Sequence, residues 1–191
     1  MISRIDHVSL AVSDSQKAMD FFRKLLGVVP GASGSDARMK YCWQILSAGD
    51  LSRLEILAPT GTGSFLDGFL KNKAGGVHHI TFETPDILAA RKRLEELNIP
   101  YFGFKDSDPA WKELFIHPKD AFGVLIQLAE FRPDDWLSPS AVFPPGKRWH
   151  AEKKADSIAL TLAHPGGGKA VLEFTRSEVQ NLIRDLENLI S

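Results

Sequence analysis

Gly75-Gly76-Val77-His78-His79-Ile80-Thr81-Phe82 decides how this chain is read, because a version of it has already occurred at the N-terminus. His79-Ile80-Thr81-Phe82-Glu83-Thr84-Pro85-Asp86 laid under His7-Val8-Ser9-Leu10-Ala11-Val12-Ser13-Asp14 brings a histidine, alternating apolar positions and a helix-opening aspartate into register at a spacing of 72 residues. Leu54-Glu55-Ile56-Leu57 and Ile126-Gln127-Leu128-Ala129 repeat at the same spacing of 72. The chain therefore reads as a duplication in which each half places one His and one Glu or Gln at equivalent points.

Working outward, residues 5–12 alternate with period two and read as a strand. Ser13 and Asp14 offer oxygens to cap a helix. Its apolar face, Ala18, Phe21, Phe22, Leu25 and Leu26, must lie on a sheet, and Gly27 stops it. The following residues, with Gly31, Gly34 and small polar side chains, read as a loop. Residues 41–46 and 51–57 then read as two strands joined by a Gly49-Asp50 turn. Residues 59–63 break the pattern, and 65–71 predict a short helix with Phe65, Leu66, Phe69 and Leu70 on one face. The second half repeats the order: a strand at 77–83, a helix at 87–97 opened by Pro85-Asp86, and strands near 101–104, 111–116 and 122–128.

From Phe131 the character changes. Residues 132–146 are rich in proline and polar side chains and read as a linker or an ordered wrap, with Trp136, Phe143 and Trp149 expected to dock on the main body. Residues 157–162 and 169–174 predict a hairpin around Pro165-Gly166-Gly167-Gly168. Thr175-Arg176-Ser177-Glu178 has the form of a capping box. The helix it opens carries Val179, Leu182, Ile183, Leu186, Leu189 and Ile190 on one stripe. A hairpin and a helix make too small a core to stand alone, so 131–191 is expected to pack on the 1–130 domain or on a partner subunit.

Composition narrows the functions available. With 191 residues, 43% hydrophobic and 25% charged, the chain has the profile of an ordinary soluble domain. A net charge of −1 gives no broad attraction to nucleic acid or to an anionic membrane. The single Cys42 excludes an intrachain disulfide and a thiolate-rich metal site, and fits a reducing cytoplasm. No apolar run approaches the ~20 residues needed to cross a bilayer, so neither a membrane anchor nor secretion is expected.

Glu55 and Gln127 interrupt apolar strands, where a buried polar group is costly without a partner. Alternation puts Glu55 on one face with Arg53 and Leu57. A divalent cation answers the need: the imidazoles of His7 and His79, the Glu55 carboxylate and the Gln127 amide oxygen form a mixed set suited to one Zn, Co, Ni, Mn or Fe ion. A pseudo-twofold axis between the halves would bring the four together. His78, one residue before His79, is expected to face the opposite side in a structural role.

The segments at 5–12, 54–57, 76–83 and 117–128 resemble the vicinal oxygen chelate superfamily, which includes glyoxalase I, extradiol dioxygenases and methylmalonyl-CoA epimerase. The epimerase branch is the nearest, through the short helix at 65–71, Gly76-Val77-His78-His79-Ile80, and His117-Pro118-Lys119 followed by Gly123-Val124-Leu125-Ile126-Gln127-Leu128. The resemblance covers residues 1 to about 130. It implies an α+β fold of two βαβββ modules, at about 1–60 and 75–130, forming a cupped mixed sheet around one metal, with a C-terminal β-hairpin plus helix extension. It also implies a homodimer, and carries the metal ligands onto His7, Glu55, His79 and Gln127, with no organic cofactor. The activity implied is that of a metal-dependent lyase or isomerase of the glyoxalase or methylmalonyl-CoA epimerase type. Its substrate would be an acyl-CoA thioester or a hemithioacetal-like molecule, held as an enolate on the metal. An extradiol-type dioxygenase and a non-enzymatic small-molecule binding protein are the rival readings.

The chain departs from the epimerase pattern twice. Gln127 stands where that branch usually has a proton-transferring Glu, and 41–46 lacks the acid the branch places there, Gln44 being the nearest polar residue. An amide cannot take a proton from carbon at neutral pH. Glu55 is then the expected catalytic residue, ligand and base in turn.

Overall fold

In the computed structural model, which describes residues 2–49 and 52–190, the two halves build one curled sheet of eight strands. The first half runs β1 (Arg4–Val12), α1 (Ser15–Leu26), β2 (Val29–Asp36), β3 (Tyr41–Ala48) and β4 (Ser52–Pro59). A short helix α2 (Asp67–Leu70) leads to the second: β5 (Gly75–Glu83), α3 (Ile87–Glu96), β6 (Phe102–Lys105), β7 (Trp111–Ile116) and β8 (Ile126–Phe131). The sheet order is β2-β3-β4-β1-β5-β8-β7-β6, which reads the same module outward from either side of the β1–β5 seam. Each inner strand pairs in parallel with the last strand of its own module, β1 with β4 and β5 with β8. β1 and β5 pair antiparallel, with Val8 opposite Ile80. Those two residues are themselves 72 apart, so the pseudo-twofold axis runs between them.

Equivalent local signals start the two larger helices. Asp14 accepts a 2.9 Å hydrogen bond from Lys17 N at the head of α1, and Asp86 accepts one of 2.9 Å from Ala89 N at the head of α3. Each cap stabilises its helix by about 1 kcal/mol. α3 buries Ile87, Ala90 and Leu94 against Leu114 and Leu128 on the convex face. α1 lies less deep: Ala18, Met19 and Phe22 pack on Leu46 and Ile56, while Phe21, Leu25 and Leu26 stay exposed.

The structure corrects several expectations. The supposed loop after Gly27 is the edge strand β2, without β-branched side chains beyond Val29 because its neighbours leave no room. A Cβ at Gly31 would meet Trp136 O at 2.3 Å, and one at Gly34 the Trp43 ring at 2.8 Å. β8 starts at Ile126 rather than Phe122, since Phe122 takes a left-handed backbone (φ 53°) after a 3₁₀ turn at Pro118–Asp120. Asp50 of the expected turn, and Leu51, lie outside the described residues.

The C-terminal hairpin is in fact a sheet of three, β9 (Trp149–Lys153), β10 (Ile158–Ala163) and β11 (Lys169–Phe174), in the order β11-β10-β9. β9 falls in a stretch whose Trp149 was expected to dock; that side chain is 62% exposed. The capping box forms as read, with Glu178 accepting from Thr175 N at 2.7 Å and Thr175 Oγ1 accepting from Glu178 N at 3.3 Å. The helix it opens, α4 (Arg176–Ile190), packs on β11 and buries none of its residues, leaving Ile183, Leu186, Leu189 and Ile190 exposed. Trp136 does dock. Its ring lies between Trp43 on β3 and Trp111 on β7, with centroids at 5.4 and 4.9 Å, and so bridges the two arms of the curled sheet.

Candidate metal centre and its cavity

At the seam the two modules interlock residue by residue. His7 pairs with Thr81 and Ser9 with His79 across β1 and β5, while Ser9 pairs with Glu55 and Thr81 with Gln127 within each module. The Thr81 hydroxyl donates to Gln127 Oε1 at 2.6 Å and lies 2.9 Å from His7 Nε2. The Ser9 hydroxyl donates to Glu55 Oε2 and lies 2.8 Å from His79 Nε2. In each half a fully buried hydroxyl thus joins its own module's Glu or Gln to the other module's histidine.

His7, Glu55 and His79 converge: one ligand atom from each lies within 4.8 Å of the others, and Glu55 Oε2 is 3.6 Å from Nε2 of either imidazole. Two donors held at about 2.1 Å from one ion near the tetrahedral angle sit about 3.4 Å apart, so this separation fits a shared cation. Gln127 joins the group through Thr81 with its amide oxygen. His7, Glu55 and His79 therefore share one centre, with His7 and His79 more than nine-tenths buried, and Gln127 lines the same cavity.

Two β-bulges aim the histidines. Asp6 is the extra residue between the Ile5–Phe82 and His7–Thr81 pairs, and His78 the extra one between Ser9–His79 and Leu10–Val77. Asp6 and His78 are again 72 apart, so the bulge is part of the duplication. It breaks strand alternation and turns two consecutive side chains toward the cup. His78 accordingly lines the cavity instead of facing away, its ring against Phe65 and Phe69, with Nδ1 3.0 Å from His79 Nδ1. Asp6 Oδ2 lies 2.7 Å from His7 Nδ1, which directs the other ring nitrogen at the centre. Arg4 and Arg53 both bind Asp6 from behind, and Arg4 also reaches Glu83 at 2.7 Å.

The same neighbours set the charges. For His7, burial works against the cation, but the hydrogen bonds and charges of Asp6 and Glu55 outweigh it and raise the imidazole from 6.5 to about 9. His79 goes the other way: burial dominates over the attraction of Glu55, and His7 and His78 add repulsion, lowering it to about 4. Burial pushes the Glu55 carboxyl up, yet His7, His79 and Ser9 together hold it below the ordinary carboxylate range.

Above this floor opens a cavity of about 420 Å³ with mainly aromatic walls, among them Tyr41, Trp43, Phe65, Trp111 and Phe115. Trp136, from the C-terminal segment, is also in its wall. Gln44 is not: its amide donates to Gly31 O and Ala32 O at 2.9 and 3.1 Å, on the outer face. Glu113 on β7, which the sequence reading passed over, is in the cavity; its Oε2 accepts from Trp111 Nε1 at 2.8 Å and Gln127 Nε2 at 2.7 Å.

Comparison with known proteins agrees with this architecture. The family model of the glyoxalase/bleomycin resistance protein/dioxygenase superfamily matches residues 6–115, and the chain belongs to that superfamily. It is 39% identical over 134 residues to the ethylmalonyl-CoA/methylmalonyl-CoA epimerase of Cereibacter sphaeroides, covering 68% of this chain and 99% of that protein. The crystal structure of methylmalonyl-CoA epimerase from Mycobacterium tuberculosis superposes with a TM-score of 0.63 at 26% identity, over 69% of this chain and 90% of that one. A variant of Streptomyces coelicolor methylmalonyl-CoA epimerase in complex with 2-nitronate-propionyl-CoA gives 0.62 at 26% identity, over 69% and 99%. Within the superfamily the chain is an enzyme of the isomerase kind. No helix among the described residues is long and apolar enough to cross a membrane.

Proposed function

We propose that the protein is a metal-dependent epimerase acting at the α-carbon of a 2-alkylmalonyl-CoA thioester, with one divalent cation held by His7, Glu55, His79 and Gln127. The observation that carries this reading is the pair of imidazole nitrogens each 3.6 Å from one Glu55 oxygen at the floor of an aromatic cavity. A cation there would supply Lewis-acid stabilisation of the enolate oxygens, an effect of several kcal/mol. The protein's own part is positional. Asp6 fixes the His7 ring, Ser9 and Thr81 hold the Glu55 and Gln127 side chains toward the axis, and the aromatic walls exclude water. Glu55 takes the α-proton. The kinship to acyl-CoA epimerases favours a thioester over a hemithioacetal.

In this reading residues 131–191 form an extension that packs on the 1–130 domain and closes one rim of the cup through Trp136. The test is direct. Protein purified without chelators is expected to carry about one divalent ion per chain, and to interconvert the two epimers of methylmalonyl-CoA. Chelation should abolish interconversion and metal re-addition restore it. A protein that binds no metal and interconverts neither methylmalonyl-CoA nor ethylmalonyl-CoA epimers would refute the reading.

A further inference from the structure

Another carboxylate, on the arm of the sheet opposite Glu55, lines the same cavity. β4 and β7 stand on opposite arms of the sheet, and the side chains of Glu55 and Glu113 both line the space between them. Glu113 lies one same-face step along β7 from the level of the ligands: it pairs with Ala129, while Phe115 pairs with Gln127. The equivalent position in the first module is Trp43, which pairs with Leu57. At both equivalent pairs, 55 with 127 and 43 with 113, one module carries the acid and the other does not, and the two acids belong to different modules.

The Glu113 carboxylate is also fixed. Trp111 and Gln127 both donate to Oε2, whereas Oε1 has no hydrogen bond to the described residues. Tyr41, in the same wall, is pushed up to about 12 by burial and then by the charges of Glu55, Glu113 and Asp36, as expected of a phenol with Glu55 and Glu113 near it. One oxygen anchored by two N–H donors and one without a hydrogen bond to the described residues, on a side chain that lines the cavity, is the geometry of a positioned acid–base group.

We infer that Glu113 is the second proton-transferring group of this site, so that Glu55 serves one face of the substrate's α-carbon and Glu113 the other. The inference rests on the epimerase reading above. In one direction the Glu55 carboxylate takes the α-proton and the C–H electron pair passes into the enolate. The Glu113 carboxylic acid then gives its proton to the opposite face of the same carbon, forming the new C–H bond and leaving a carboxylate. The other epimer runs the same steps with the roles exchanged, and proton exchange with solvent resets the pair. Nothing is oxidised or reduced.

Each epimer of methylmalonyl-CoA is incubated in D2O with the metal-loaded wild type and with Glu113→Gln, and inversion and α-deuteration are followed separately. The wild type should invert and deuterate both. Glu113→Gln should lose about 100-fold or more of inversion, yet still deuterate one epimer, the one whose α-hydrogen faces Glu55, without inverting it. Metal content should be unchanged, and Glu113→Asp should recover part of the inversion. Undiminished inversion in Glu113→Gln, or equal loss of deuteration from both epimers at full metal content, overturns the assignment while leaving the epimerase reading intact. A wild type that deuterates neither epimer overturns the epimerase reading itself, and the assignment with it.

Discussion

Set side by side, the two modules of the cup agree in what would place a cation and differ in what would perform the chemistry. Module one supplies His7, Ser9 and the Asp6 bulge; module two supplies His79, Thr81 and the His78 bulge at the same positions. Where module one has Glu55 and Trp43, module two has Gln127 and Glu113. A duplicated scaffold can hold a cation with symmetric ligands, whereas a two-base inversion of a carbon calls for a proton-transferring group on each face. The departures from symmetry are therefore where specific function is to be sought.

If the halves are equivalent as ligand donors, His7→Ala and His79→Ala should be equally damaging, each emptying the metal site and lowering epimerisation by about 10³-fold or more, the loss of several kcal/mol of enolate stabilisation. Metal analysis of the two variants in parallel checks this, and retention of metal by either would break the symmetry of the centre. The bulge residues should separate the modules next. Asp6→Asn removes the carboxylate behind His7 and should cost about 10- to 100-fold in metal affinity, whereas His78→Asn, which replaces a neutral ring, should cost less; competition against a chelating dye ranks them.

Proton linkage gives a third contrast. Below about 9 the metal-free His7 is an imidazolium, while His79 stays neutral down to about 4. The His7 proton must leave before its Nε2 can accept a cation. Metal affinity should therefore rise by about tenfold per pH unit from neutrality and level off above pH 9. Calorimetric titration in buffers of different ionisation enthalpy should find about one proton released per ion at pH 7, and release of none would deny the difference between the histidines. The smallest effect belongs to the bridge between the modules: Trp136→Ala should raise KM for the thioester a few-fold, roughly the loss of 1 kcal/mol of uniform binding, and leave kcat almost unchanged.

The repeat at a spacing of 72 carried most of the fold and all four candidate ligands, because strand alternation and ligand type survive duplication as visible letters. What stayed hidden depends on pairing. His78 looked like an outward residue because alternation assumes no bulge, and no residue type in Val77-His78-His79 announces one. Glu113 looked like any charge in Trp111-Lys112-Glu113-Leu114-Phe115. Its counterpart Trp43 lies 70 positions away rather than 72, since the second hairpin is longer, so the repeat that revealed Gln127 passed over it. The edge strand β2 was illegible for the opposite reason: its glycines are there for close contact with Trp136 and Trp43, and close contact looks like a turn in a one-dimensional reading.

Arg53 is buried at the join between the cup and the C-terminal segment. It stands opposite His7 in the β1–β4 register, grips Asp6, and donates to Gly166 O at 3.2 Å and to Pro133 O at 3.4 Å. At Gly166 a Cβ would meet the Arg4 guanidinium at 2.6 Å, so any other residue there would displace the Arg4 side chain. The tail is thus tied to the centre by a short tether, from carbonyl to guanidinium to carboxylate to imidazole. Peeling it off would strip a sequestered cation of two acceptors and slacken the grip on the ring beyond, so grasp of the ion and attachment of the last sixty residues should weaken together.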